Sequence, residues 1–245
     1  MWSGPRNLST ALMRSFSSRA DCVVSDEPFY ASYLARTGLD HPGRADVLAS
    51  QPTDWQDVAE ACGAGPPPLP RAVWYQKHMS HHVTPEMAGP WLDGLDHALL
   101  IRHPARVIAS YLKVWPTMTL QETGLPSQVA IVEHLARTRG IVPPVVDAAD
   151  LRAAPEPTLR GLCAALDLAW DPAMLHWPPG PHPQDGVWGR DWYASTWRST
   201  GFRPEPAEEE LGTAPRVPFL DEAVALYDRL RACCNSVAPR NTRSS

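Results

Sequence analysis

The sequence predicts an α/β protein, a three-layer α/β/α sandwich around a mainly parallel central sheet. Short apolar segments of strand character alternate along the chain with segments of helical pattern, as when helices cover both faces of a parallel sheet. The 245 residues, 44% of them hydrophobic, can bury one sizeable core, and the length calls for no second domain. We expect a single domain over residues 1–235 and a disordered tail over residues 236–245.

The predicted strands are short, apolar and rich in β-branched or aromatic residues, as buried parallel strands tend to be. They cover residues 21–25, 72–76, 98–101 and 144–146. A further strand should precede the loop W-S-G-P-R, because a loop that binds phosphate normally leaves the end of a central strand. This loop already begins at residue 2. The first strand is therefore missing or very short, which favours a truncated start over an N-terminus that simply lies at the surface.

Six segments have helical patterns. They cover residues 8–19, 29–36, 105–114, 127–139, 157–166 and 220–233. The last segment has an apolar face formed by Leu220, Ala223, Val224, Tyr227 and Leu230. Pro-rich breaks at residues 65–70 and 178–183 mark surface loops.

The charge balance restricts the partners. A formal net charge of −5 and a pI near 6.0 argue against nucleic acid and anionic membranes, because both attract basic proteins. Any anionic ligand must then be held by local arginines. No window approaches the roughly 18 apolar residues of a spanning helix, and the start lacks a signal segment. Five irregularly spaced cysteines favour a reducing compartment, so we expect a cytoplasmic protein.

The first motif is an anion cradle at the start of a helix. It consists of Gly4, Pro5, Arg6, Asn7, Leu8, Ser9 and Thr10. The first N–H groups of a helix have no intrahelical partner, and the helix dipole favours an anion there. Arg6 can neutralise an oxygen of that anion, and the two hydroxyls can donate hydrogen bonds to it. The alternative is an ordinary helix start capped by Ser9 or Thr10. The Gly-Lys pair of a Walker A loop is absent from the segment.

The second motif, I-R-H-P-A-R-V-I-A-S-Y, spans residues 101–111. It places an arginine at the end of a predicted strand and a proline at the start of the next helix. Arg102 and Ser110 lie across this corner, where guanidinium charge and a hydroxyl donor can hold one phosphate together. On its own, an arginine at a strand end is often only a surface salt-bridge partner.

These two segments resemble the two nucleotide-binding signatures of the sulfotransferase superfamily, and the eight-residue separation of Arg102 and Ser110 matches that family's pattern. A third segment, residues 145–168, resembles a later stretch with a D-L pair and a proline-led helix. The resemblance covers residues 2–202 and is closest to a bacterial-type branch with W-S-G-P-R-N, D-E-P and H-H motifs. It implies a P-loop NTPase-like topology and 3′-phosphoadenosine 5′-phosphosulfate (PAPS) as the donor.

The resemblance also implies roles for residues. Arg6 and the amides of residues 7–10 would hold the 5′-phosphosulfate, and Arg102 with Ser110 would hold the 3′-phosphate. The late loop that would close on that phosphate contains Arg198, Ser199 and Gly201. The implied reaction moves a sulfuryl group to a hydroxyl or amine of a small-molecule acceptor, with no nucleic-acid or membrane partner. A homodimer is the candidate oligomer.

Two predicted strand ends offer a base for the acceptor's proton. D-E-P follows one strand and K-H-M-S-H-H ends the next, and ligands bind at the carboxyl ends of such strands. We rank His81 and His82 first because imidazole has a pKa near neutrality, and Glu27 second because its carboxyl would need a raised pKa. Lys77 would stabilise the leaving group as a mobile point charge. The alternatives are a structural histidine turn, a pair of Glu27 with Arg6 or another loop arginine, and a solvated strand-end lysine.

The sequence can also be compared with the patterns of a metal site, a kinase and a non-catalytic paralogue. We expect no metal, since H-E-x-x-H and Cys/His pairs at zinc spacing are absent from the sequence. A P-loop kinase-like phosphoryl transferase would share the cradle, but its Gly-Lys pair and magnesium-binding aspartate are not evident. A degenerate paralogue would bind nucleotide without catalysis. Aromatic residues that can line an acceptor pocket are Trp74, Trp115, Trp188, Trp192 and Tyr193.

Overall fold

The structure is a computed structural model that describes residues 1–204 and 216–236. Within these residues, five strands form one sheet in the order β2-β3-β1-β4-β5, and the paired strands are parallel. The strands are β1 (Trp2–Ser3), β2 (Cys22–Asp26), β3 (Val73–Met79), β4 (Leu99–Ile101) and β5 (Val145–Asp147). The four strands predicted from composition are confirmed, with boundaries shifted by at most about three residues, the usual uncertainty of such predictions.

The first strand, β1, has only two residues and lies at the centre of the sheet. Trp2 is paired with His78 of β3 on one side and with Leu99 of β4 on the other. Its backbone N–H donates to the carbonyl of Ala98 at 2.8 Å. The very short first strand expected from the sequence is therefore present and buried. Because β1 is central, the loop that follows it leaves the middle of the sheet's carboxyl edge.

All six predicted helices are confirmed, and shorter ones are added. The predicted helices are α1 (Ser9–Ser17), α2 (Tyr30–Thr37), α5 (Pro104–Tyr111), α6 (Leu125–Arg139), α8 (Pro155–Ala165) and α11 (Leu220–Ala232). The helices missed by the sequence analysis are α3 (Arg44–Ser50), α4 (Trp55–Gly63), α7 (Ala148–Ala153), α9 (Gly189–Trp192) and α10 (Ala194–Trp197). Three of these, α7, α9 and α10, have six residues or fewer and show too few turns for a clear helical period.

Helices cover both faces of the sheet. One core packs Leu99, Ile101 and Val145 of the sheet against α4, α6 and α11. The other packs Leu100 and Val146 against α1 and α8. Successive residues of a strand point to opposite faces, so neighbouring residues of β4 enter different cores. The three-layer α/β/α sandwich is confirmed.

The Pro-rich breaks at residues 65–70 and 178–183, both within the described ranges, contain neither helix nor strand, as predicted. The tail expected over residues 236–245 lies outside the described residues except for Ser236, which ends a 3₁₀ turn. In the described part of the chain, no helix has the length and apolar character that crossing a bilayer requires.

A buried histidine makes the packing of β1 sensitive to pH. The indole N–H of Trp2 donates to Nδ1 of His97 at 3.0 Å, and Nε2 of His97 donates to the Leu92 carbonyl at 2.8 Å. A ring that accepts at one nitrogen and donates at the other is neutral. Burial lowers the pKa of His97 from its ordinary value of 6.5 to about 4.

We expect this histidine to weaken the fold in acid. The unfolded chain binds its proton near pH 6.5 and the folded protein only near pH 4. The stabilisation is therefore complete above pH 6.5 and is lost as the pH falls toward 4. One such proton contributes a slope of about 1.4 kcal/mol per pH unit to the free energy of unfolding. Urea unfolding of His97→Gln should show a slope shallower by about that amount across this range, and an equal slope would contradict the assignment.

Candidate active site

The predicted anion cradle lies in the loop between β1 and α1. Gly4 lies so close to another backbone segment that an added Cβ would be 2.1 Å from the carbonyl oxygen of Thr123. Only glycine allows this approach. Arg6 and Leu8 adopt left-handed backbone conformations, with φ of 59° and 69°, which is uncommon for residues other than glycine. The loop is therefore a tight turn that delivers the chain into α1 at Ser9.

Among the described residues, no side chain caps the start of α1. Leu8 occupies the N-cap position and makes no side-chain capping hydrogen bond to the described residues, so the alternative of a Ser9 or Thr10 cap is wrong. The N–H groups at this end keep their capacity to bind an anion. Asn7 ties the loop to β4, because its side-chain amide donates to the Leu100 carbonyl at 3.2 Å.

Two arginines meet beside this loop. Nε of Arg6 donates to Oγ of Ser110 at 3.1 Å, and Nη1 of Arg102 donates to the Arg6 carbonyl at 2.8 Å. Burial, with a further contribution from the charge of Arg102, lowers the pKa of Arg6. Neighbouring cations repel each other, and a bound anion would relieve that repulsion. Two sequence motifs about a hundred residues apart thus converge on one point.

The cradle opens into a cavity of about 300 Å³. The cavity lies at the carboxyl ends of the strands, where open α/β sheets bind their ligands. Residues selected from the sequence that line it are Pro5, Arg6, Asn7, Leu8, Ser9, Thr10, Glu27, Lys77, His81, His82, Arg102 and Ser110. Of the aromatic residues expected around an acceptor, Trp192 and Tyr193 line it as well.

The sequence analysis missed several residues of the cavity wall. They include Tyr30, His41, Tyr111, Lys113 and Arg152. Tyr111 is the last letter of the I-R-H-P-A-R-V-I-A-S-Y motif, so its position could have been found. The hydroxyl of Tyr30 is hydrogen-bonded to Nδ1 of His41 at 2.9 Å. No motif marks these two residues or Arg152, and only the fold brings them to the site.

A buried ionic cluster lies at the cavity. Nζ of Lys77 donates to Oδ1 of Asp26 at 2.8 Å, to Oε1 of Glu27 at 2.7 Å and to the hydroxyl of Tyr193 at 2.6 Å. The Lys77 side chain is 1% exposed, so the alternative of a solvated strand-end lysine is wrong. Glu27 pairs with this lysine, whereas Arg6 donates to Ser110, so the alternative of a Glu27–Arg6 pair is wrong.

The cluster contains two carboxyl groups, those of Asp26 and Glu27, and one ammonium group, that of Lys77. Burial raises the pKa of Glu27; the charge of Lys77 opposes the rise and that of Asp26 adds to it. Burial alone would lower the pKa of Lys77, but the two carboxylates outweigh it and the pKa is raised. Lys77 therefore keeps its charge, and Glu27 has gained affinity for a proton.

The two candidate histidines lie among aromatic rings. The His82 ring stacks on Tyr30 with centroids 4.9 Å apart and on Tyr33 with centroids 4.5 Å apart. Burial lowers the pKa of His81 to about 3, and it lowers the pKa of His82 well below the ordinary value. Both rings are therefore neutral at pH 7. They have lost much of the proton affinity that favoured them as bases.

Two statements about the site stay predictions. Arg198, Ser199 and Gly201 are not among the described residues that line the cavity. Oγ of Ser199 accepts from the Trp177 indole at 3.1 Å, and Gly201 forms a β-bridge with His176. Within the described ranges, no three His, Cys, Asp or Glu side chains converge as ligands of a metal ion would.

Two curated relatives from Arabidopsis thaliana match most of the chain. They are named branched-chain-amino-acid aminotransferase-like protein 1 and protein 2. They are 38% and 34% identical to it over 233 and 230 residues, 94% of this chain in each case. The chain spans about two fifths of their length, 41% and 40%.

Solved structures share the fold. A sulfotransferase domain from the curacin biosynthetic pathway matches 94% of this chain and 95% of its own, with a TM-score of 0.56 and 15% identity. The sulfotransferase domain of the Synechococcus PCC 7002 olefin synthase matches 94% and 92%, with a TM-score of 0.64 and 15% identity. At this identity the likeness concerns the fold, and it confirms the topology that the resemblance implies.

The strongest comparison is with a protein family. The family model described as "Sulfotransferase domain" matches residues 1–234. This match takes in the cradle, the ionic cluster and all five strands. The chain therefore belongs to the sulfotransferase domain family.

Proposed function

We propose that this domain transfers a sulfuryl group from PAPS to a hydroxyl or amine of a small-molecule acceptor. The observation that carries the proposal is the meeting of Arg6 and Arg102 at an uncapped helix start. The same cavity holds Glu27 and Lys77. It therefore offers cations for a polyanionic donor and a carboxylate for the acceptor's proton within one cavity.

The donor has two anionic parts, and the cavity has two matching groups of residues. The free N–H groups at the start of α1, with Arg6, would hold the 5′-phosphosulfate. Arg102 and Ser110 would hold the 3′-phosphate through a guanidinium and a hydroxyl donor. Lys113 and Arg152 also line the cavity, and they add positive charge for the same ligand.

The reaction needs an in-line attack on sulfur. A lone pair of the acceptor oxygen or nitrogen forms the new bond to sulfur. The bond from sulfur to the 5′-phosphate oxygen breaks, and its electron pair leaves with adenosine 3′,5′-bisphosphate. Arg6 and the helix amides stabilise the charge that gathers on the departing phosphate. The acceptor's proton goes to a base in the cavity.

We infer that this base is Glu27, although the residue types alone rank the histidines first. Burial raises the pKa of Glu27 and lowers those of His81 and His82. The carboxylate gains proton affinity where the imidazoles lose it. A catalytic base is most effective when its pKa lies near the working pH. His81 and His82 then serve as neutral walls of the acceptor side.

The rival functions find less support. A kinase-like phosphoryl transferase would need the Gly-Lys pair that the cradle lacks, and the family favours sulfuryl transfer. The word aminotransferase in the names of the plant relatives describes proteins more than twice as long as this chain, so it gives no support for aminotransferase activity of this domain. A degenerate paralogue differs from our proposal only in turnover.

Calorimetric titration with adenosine 3′,5′-bisphosphate, AMP and ATP tests the donor assignment. We expect the bisphosphate to bind at least about tenfold more tightly than AMP, because the 3′-phosphate adds charge-assisted hydrogen bonds. A preference for ATP would favour the kinase. Failure to bind the bisphosphate would overturn the proposal. Binding without sulfuryl transfer from PAPS to a panel of phenols, alcohols and amines would favour the degenerate paralogue.

A further inference from the structure

We propose that Tyr193 is a positioning residue for sulfuryl transfer: its hydroxyl holds Lys77 and Glu27 in the arrangement in which Glu27 receives the acceptor's proton. The proposal rests on the proposed function, because it assigns a role relative to Glu27 as the base. It adds a residue 116 positions after Lys77 to a cluster otherwise built at the ends of β2 and β3.

All three hydrogens of the Lys77 ammonium are used inside the protein. They point to Asp26, Glu27 and Tyr193, at 2.8, 2.7 and 2.6 Å. An ammonium has three N–H donors and no acceptor. In this arrangement Lys77 has none left for the donor's bridging oxygen, so the leaving-group role expected from the sequence passes to Arg6. Lys77 instead binds the two carboxylates, and the Tyr193 hydroxyl is its third hydrogen-bond acceptor.

The Tyr193 hydroxyl also contacts every other polar group of the cluster. It lies 3.0 and 2.9 Å from the two carboxylate oxygens of Asp26 and 3.1 Å from Oε1 of Glu27. It accepts from the Trp188 indole N–H at 2.9 Å. A phenol has a single proton and donates to one carboxylate at a time. Burial, with the two carboxylates, raises the pKa of Tyr193 well above its ordinary value, so the hydroxyl keeps that proton.

The segment that carries Tyr193 is fastened to the site at other points. The backbone N–H of Gly186 donates to Oδ2 of Asp26 at 3.0 Å. Asp185 forms a buried ion pair with Arg14 of α1 at 2.6 Å. The start of α1 forms the cradle. The segment that carries Tyr193 therefore contacts both α1 and the carboxylates of the cluster. These contacts limit the freedom of the tyrosine relative to the groups that it orients.

Loss of the hydroxyl changes Glu27 in a defined direction. A hydrogen bond donated to a carboxylate favours its ionised form and lowers its pKa, and Tyr193 has this effect on Glu27. Without the hydroxyl, the pKa of Glu27 rises further. A base that stays protonated over a wider range gives a kcat profile whose acid limb lies at higher pH. A tyrosine that only filled space would leave that limb in place.

Tyr193→Phe tests the proposal because it removes the hydroxyl and keeps the ring. We expect kcat on the acid limb to fall about ten- to hundredfold and the limb to move up by about one pH unit. Affinity for adenosine 3′,5′-bisphosphate should stay within about twofold. The matched control is Tyr75→Phe on the same strand as Lys77, since the buried Tyr75 hydroxyl has no hydrogen-bond partner among the described residues. That variant should keep the wild-type profile.

The outcomes separate this proposal from the proposed function. A lower kcat with an unmoved acid limb would show that Tyr193 only packs, and would overturn the proposal. If the wild-type protein did not bind adenosine 3′,5′-bisphosphate, the proposed function would be overturned instead. If Tyr193→Phe does not fold, Trp188→Phe removes the N–H that polarises the same hydroxyl. It should move the limb in the same direction by a smaller amount, and an unmoved limb overturns the proposal there too.

Discussion

Replacing Glu27 by glutamine is expected to lower kcat about 10²- to 10⁴-fold with little change in donor affinity. The glutamine oxygen can still accept from Lys77, so the buried ammonium keeps its partner. An amide cannot take the acceptor's proton. The loss falls on turnover because the base acts in the transition state. Steady-state kinetics with PAPS, combined with titration of adenosine 3′,5′-bisphosphate, separate the two quantities.

The pH profile and matched variants identify the base. In the wild-type enzyme, kcat should rise with pH until Glu27 is ionised and then level off, with a midpoint above the ordinary glutamate value of 4.5. His81→Gln should retain most of the activity, and Glu86→Gln controls for a charge change at an exposed glutamate. Activity that survives in Glu27→Gln but is lost in His81→Gln or His82→Gln would make a histidine the base.

Arg102→Ala is expected to weaken binding of adenosine 3′,5′-bisphosphate about ten- to hundredfold, the usual effect of losing hydrogen bonds to a charged group. The guanidinium also donates to the Arg6 carbonyl, so its loss loosens the cradle. AMP lacks the 3′-phosphate and should be affected less. The ratio of the two dissociation constants, measured by calorimetry, should therefore move toward one.

Two variants control for charge and for geometry. Arg160→Ala removes a guanidinium from an exposed pair with Glu156 and should leave both affinities unchanged. Arg102→Lys keeps the charge without the planar fork, and we expect an intermediate loss. If Arg102→Ala kept the full preference for the bisphosphate over AMP, the 3′-phosphate assignment would be wrong.

Local patterns were enough to predict much of the fold. The strands β2 to β5 and the longer helices have compositions or periods that a short window reveals. The helices α9 and α10 have four residues each and show no period. The two residues of β1 are also too few to show a periodic pattern. Their place at the centre of the sheet depends on pairing with β3 and β4, which are far away in the sequence.

The candidate anion cradle and the I-R-H-P-A-R-V-I-A-S-Y motif could be proposed from the sequence because each is contiguous. A glycine, an arginine and hydroxyls before a helix have a local meaning. The ranking of the bases could not be read in the same way. The pKa of a carboxyl or an imidazole follows from burial and neighbours, and burial moves Glu27 and His81 in opposite directions.

By itself, the sequence determined the α/β class and the longer elements and pointed to two candidate anion-binding motifs, because these depend on residues that are neighbours along the chain. The tertiary structure alone decided that Arg6 meets Arg102, that Lys77 is buried between two carboxylates, and that Tyr193 completes the cluster. Lys77 and Tyr193 are 116 residues apart. Their contact depends on how the segment around α9 packs over the sheet, and no local pattern specifies that packing.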